Sequence, residues 1–94
     1  MTPVRLIVTG LGSWGPGWPE LIQQQDGVEL AAVVEPMDDR RQAVVDARGL
    51  SPDQAYTDLE TALQQVDTDA VLVVTPPTTH LEVANIAFAA GKPV

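Results

Sequence analysis

The chain has 94 residues, 45% hydrophobic and 19% charged, a balance that predicts one folded domain and argues against a disordered or fibrous chain. Thirteen Asp and Glu against five Lys and Arg leave a formal net charge of −8, which repels phosphodiester backbones and anionic membranes, so nucleic acid and membrane partners are not expected. With no cysteine, disulfides, thiolate metal sites and a cysteine nucleophile are excluded; with no signal-peptide pattern at Met1 and no run near the ~20 apolar residues that span a bilayer, a soluble cytoplasmic protein without metal is expected.

In chain order, Val4 to Thr9 is an apolar run without strict polar alternation, the pattern of a parallel strand buried on both faces. A helix is predicted over Pro19 to Gln25, stopped by Asp26-Gly27, and a second buried strand over Val28 to Val34. Helical spacing returns over Asp38 to Arg48, stopped by Gly49, followed by a weak three-residue strand, Ala55 to Thr57, required if strand and helix alternate. Asp58 is placed to N-cap a helix over Leu59 to Gln65. A strand over Ala70 to Val74 leads to a final helix over Thr79 to Ala89, whose wide apolar arc predicts deep packing on the sheet, and Gly91 ends it. Pro93-Val94 then reads as the entrance to a fifth strand. The alternation predicts an α/β fold of Rossmann type, a parallel sheet with helices on both faces, in one domain over residues 1–94.

The glycines carry the first functional signal. Gly10, Gly12 and Gly15 form a GxGxxG element directly after the first strand, and Glu35 ends the second strand 20 residues beyond Gly15. In a dinucleotide site these residues have separate roles: Gly10 makes the tight turn, Gly12 admits the pyrophosphate to the backbone, Gly15 allows close helix packing, and Glu35 accepts the ribose hydroxyls. The carboxylate favours NAD over NADP, with NADP left open through Arg40 or Arg41. Ser13 and Trp14 fall inside the loop and count with it, although Trp14, like Trp18, also fits plain packing of apolar surface. Pro16 and Pro19 depart from the usual pattern, because proline is tolerated only in a first helical turn; they predict a helix that begins late, near Trp18 and Pro19, or a distorted first turn that offers fewer amides to phosphate.

Thr75-Pro76-Pro77-Thr78-Thr79-His80 lies at the carboxyl end of the Ala70 strand, where ligands of open α/β sheets collect. Thr75 and Pro76 are candidates for cofactor contact. His80 either faces the nicotinamide end or is an ordinary first-turn residue behind an N-cap at Thr78 or Thr79. Together, Gly10-Leu11-Gly12-Ser13-Trp14-Gly15, Val33-Val34-Glu35-Pro36, the Thr75 to His80 loop and Ala89-Ala90-Gly91-Lys92-Pro93-Val94 resemble the N-terminal domain of the Gfo/Idh/MocA oxidoreductases, the relatives of glucose-fructose oxidoreductase and inositol dehydrogenase.

The resemblance runs over essentially the whole chain and implies NAD(P)-dependent hydride transfer on a sugar, polyol or related secondary alcohol. In that family the strand near Val94 continues into a Glu-Lys-Pro motif, and a following domain supplies substrate-binding Asp and His. Lys92 matches the Gly-Lys turn before that strand and is not the family's catalytic lysine. The expectation is therefore the cofactor-binding part of a longer oxidoreductase, cut at the start of its fifth strand and without its catalytic domain, with no complete active site, no catalytic residue that can be named and no turnover of its own. Two other classes fit the pattern. One is a freestanding interaction or regulatory module that self-associates through an open sheet edge. The other is an S-adenosylmethionine-binding domain, against which stands the absence of an acid just before the first glycine, where Val8-Thr9 is found.

Overall fold

In a computed structural model that describes residues 3–12, 17–75 and 77–94, the chain alternates strand and helix. The strands are β1 (Val4–Thr9), β2 (Val28–Val34), β3 (Ala55–Tyr56) and β4 (Ala70–Val73), and the helices are α1 (Gly17–Gln24), α2 (Asp38–Arg48), α3 (Leu59–Gln65) and α4 (His80–Ala89). Short 3₁₀ turns over Pro52–Gln54 and Pro77–Thr79 precede β3 and α4. All strand pairs are parallel and the order across the sheet is β3-β2-β1-β4.

Side-chain alternation divides the core into two layers. On one face Val8, Leu30 and Val33 meet Ile22 of α1 and Val44 of α2; on the other Ile7, Val34 and Val71 meet Leu59 and Ala62 of α3 and Ala87 of α4. Leu30 and Val33 are three apart yet share a face because the β1–β2 register skips Ala31, pairing Leu6 with Leu30 and Ile7 with Ala32. This bulge reverses the alternation partway along β2, within the stretch from Leu30 to Val34 that is buried throughout.

Local chemistry accounts for most boundaries. The carboxylate of Asp58 accepts the Thr61 amide at 2.9 Å and starts α3. Gly49 ends α2 at φ +66°, its amide donating to the Val45 carbonyl. Helix α1 starts at Gly17, slightly ahead of the expected position, and buries Pro19 within its first turn, where no amide is required of it. The 3₁₀ turn displaces the start of α4 from Thr79 to His80, and β4 ends at Val73.

The predicted deep burial of α4 is not observed. Ala87 is its one buried residue among those described, while Leu81 is 75% and Phe88 59% exposed. Seven residues apart, Leu81 and Phe88 share the outer side of the helix, and among the described residues β4 beneath it is an edge strand of the sheet, so α4 packs over the sheet's border. The carbonyl of Pro93 accepts the Val71 amide at 2.9 Å along that edge, as expected for the entrance to a further strand. Among the described residues no helix is long and apolar enough to cross a membrane.

Candidate functional site

The chain leaves β1 toward β2 on one side and later returns to β4 on the other. The carboxyl end of β1 is therefore where successive connections diverge and a crevice opens. Three bonds tie the four strand ends together there: the Gly10 amide donates to the Val34 carbonyl at 2.8 Å, the Val74 amide to the Thr9 carbonyl at 2.8 Å, and the Glu35 amide to the Tyr56 carbonyl at 2.9 Å.

Gly10 has φ +99°, and a Cβ on it would stand 2.7 Å from the Val74 carbonyl group and 2.8 Å from the Thr75 nitrogen. The sequence assigns Gly10 a tight turn; the fold adds that β4 leaves no room for a side chain. Gly12 is different: among the described residues a Cβ there would meet only the Arg40 guanidinium, at 3.5 Å, an ordinary contact. Among the described residues it has a cation beside it, which favours the approach of a phosphate.

Glu35 is 4% exposed, and both its carboxylate oxygens are engaged. Oε1 accepts the Leu11 amide of the glycine loop at 2.9 Å and Oε2 accepts the Met37 amide at the start of α2 at 3.0 Å. This binding of the glycine loop to the second crossover is a structural role that sequence reasoning missed. Its signal was the acid's position at the end of β2, one strand over from the loop. A carboxylate has about four lone-pair sites, so acceptor capacity remains for a ligand hydroxyl.

The two arginines separate. Arg41 donates to the Glu35 carbonyl at 2.8 Å and pairs with Asp38, so it is committed to the β2–α2 turn. Arg40 is exposed, pairs with no carboxylate among the described residues, and reaches over Gly12. Nothing in the sequence ranks one above the other, because both follow Asp38-Asp39 in the first turns of α2.

At the end of β4, the Thr75 Oγ1 is sealed from solvent and has no hydrogen-bond partner among the described residues. The His80 Nε2 lies 2.5 Å from the Thr75 carbonyl oxygen, and His80 itself is exposed at the start of α4, with Thr79 at the N-cap position. An unpartnered buried hydroxyl, a cation beside Gly12 and a carboxylate with spare lone pairs together fit a nucleotide. Of the sequence-derived candidates, Gly10, Gly12 and Glu35 are joined through β1 and β2, and Thr75 and His80 join them through Gly10. Ser13, Trp14, Gly15 and Pro76 lie outside the described residues.

The profile of a family described as oxidoreductases with an NAD-binding Rossmann fold matches residues 4–94. The inositol 2-dehydrogenase of Pseudarthrobacter chlorophenolicus is 34% identical over 92 residues, and the 4-carboxy-2-hydroxymuconate-6-semialdehyde dehydrogenase of Sphingobium is 31% identical over 91. Each alignment covers 97% of this chain but only 27% and 28% of the respective enzymes. The fold is that of the scyllo-inositol dehydrogenase of Lactobacillus casei, solved with NAD(H) and scyllo-inositol, with a TM-score of 0.86 at 24% identity over 97% of this chain and 26% of that one.

Proposed function

Because the chain belongs to the Gfo/Idh/MocA oxidoreductases with an NAD-binding Rossmann fold, we propose that it holds the dinucleotide of a dehydrogenase acting on a sugar, polyol or related secondary alcohol, with NAD preferred over NADP. The chain spans about a quarter of the length of the curated relatives it matches, two of which are dehydrogenases of an inositol and of a semialdehyde. A cytoplasmic location is part of the proposal, and the absence of cysteine is compatible with it.

The observation that carries the reading is the meeting of Gly12, Arg40 and Glu35 at the carboxyl edge of β1 and β2. In this reading the loop amides and the Arg40 guanidinium bind the pyrophosphate, and the remaining lone pairs of Glu35 accept the adenosine ribose hydroxyls. Charge at Glu35 disfavours a 2′-phosphate, whereas Arg40 attracts any phosphate; NAD preference requires the first effect to exceed the second. Thr75, with Ser13, Trp14, Gly15, Pro76 and His80, completes the proposed wall. When bound, the nicotinamide exchanges hydride with the substrate; the residues of this chain hold and orient the cofactor beside it.

Calorimetric titration of the chain with NAD, NADP and S-adenosylmethionine tests the proposal. Binding of NAD in preference to the other two is expected. Failure to bind NAD, or tighter binding of NADP, refutes it, and a preference for S-adenosylmethionine moves the chain to another class of cofactor.

A further inference from the structure

His80 is a residue whose ring bonds the protein's own backbone at the rim of the site. A carbonyl oxygen only accepts, so the proton of this hydrogen bond is on Nε2. We infer that His80 is a positioning residue: its Nε2–H holds the Thr75 carbonyl, and through it the peptide against which Gly10 packs, so that the end of β4 is set in place before a dinucleotide arrives.

The path from the ring to the glycine loop is short. Thr75 is the residue after Val74, whose amide donates to the Thr9 carbonyl. The Gly10 Cα is so close to Val74 and Thr75 that no Cβ fits between them. Any shift of the Thr75 peptide is therefore felt by the first glycine of the loop. The segment carries two prolines, Pro76 and Pro77, which supply no amide donors, so fewer backbone N–H groups are left to anchor it. The imidazole at the first position of α4 is a side-chain anchor, fixed on a rigid element and reaching back five residues. Without it, ordering of the loop has to be taken from the binding free energy, which lowers affinity even though His80 need not touch the ligand.

The inference rests on the proposed dinucleotide function for its affinity readout but not for its structural one. The 94-residue chain is compared as wild type, H80A, H80Q and H80N by calorimetric titration with NAD and by amide hydrogen exchange at Val74. The side-chain amide of Gln reaches about where Nε2 stands, and that of Asn about where Nδ1 stands, so only Gln restores the bond. H80A and H80N are expected to bind NAD roughly three- to tenfold more weakly, the range that one net hydrogen bond spans, and to exchange the Val74 amide faster, while H80Q recovers both. Nitrogen-15 shifts of the wild-type ring in alkaline buffer, where a histidine ring carries a single proton, should place that proton on Nε2. A proton on Nδ1, or H80A equal to wild type in exchange and affinity, overturns the inference. If the wild type itself takes up no NAD, the proposed function falls, and Val74 exchange with the ring tautomer still decides the role of His80.

Discussion

Replacing Gly10 by alanine separates the architectural glycine from the ligand-facing one. At φ +99° an L-residue is strained by about 1–3 kcal/mol. The new Cβ would also lie 2.7 Å from the Val74 carbonyl group, backbone that cannot rotate away; forced overpacking of this kind costs typically about 1–3 kcal/mol more. The sum, about 2–6 kcal/mol, is a large part of the roughly 5–14 kcal/mol expected for a domain of this size. Thermal and urea unfolding followed by circular dichroism should show G10A melting at least ~10 °C below wild type. Among the described residues G12A meets only the Arg40 guanidinium at 3.5 Å and should unfold within ~0.5 kcal/mol of wild type, while its methyl group intrudes on the proposed phosphate approach and weakens NAD binding. G49A, at φ +66° with nothing within 4 Å, should show strain alone, about 1–2 kcal/mol. Wild-type stability in G10A, or equal damage from G10A and G12A, would refute the division of roles.

E35A leaves the Leu11 and Met37 amides without their acceptor and should cost about 1–3 kcal/mol in unfolding experiments. Its folded fraction should lose more affinity for NAD than for NADP, and equal losses for the two would show that the carboxylate does not read the ribose. R40A should unfold within ~0.5 kcal/mol of wild type, since the side chain is exposed and holds no carboxylate among the described residues, yet bind NAD more weakly and with a shallower salt dependence; unchanged affinity would remove Arg40 from the site. The Thr61 amide and then its hydroxyl hold the Asp58 carboxyl below its ordinary value. The folded chain therefore takes up that proton at lower pH than the unfolded chain does. The cap's contribution is complete above the ordinary carboxylate range and lost as pH falls through the lowered value. D58A should be less stable than wild type at neutral pH and approach it in acid; a gap that stays constant down to pH ~2 would refute the cap as the source.

Elements with strong local signals are legible in the amino-acid sequence. β1, β2, α2 and α3 fall at the expected residues because buried runs, a left-handed glycine stop and an aspartate cap act over a few neighbouring residues. The short β3 follows from requiring alternation and is present over two residues, Ala55–Tyr56. The outer side of α4 departs from expectation: Leu81 and Phe88 look like core by composition, but burial depends on whether a neighbouring strand exists to pack against.

Within the site, periodicity and spacing are enough to identify a glycine loop after a buried strand and an acid at the end of the next, because those features stand along the chain at separations set by helix and strand geometry. Spatial neighbours far apart in sequence are decided by the fold alone. Among them are the pressing of Gly10 against Val74, the two amides held by Glu35, the choice of Arg40 over Arg41, and the bulge at Ala31 that turns half of β2. The reason is physical: a propensity or a cap is a property of a few consecutive residues, whereas a clash of 2.7 Å or a carboxylate shared by two loops exists only once the parallel sheet has brought the ends of β1, β2 and β4 together.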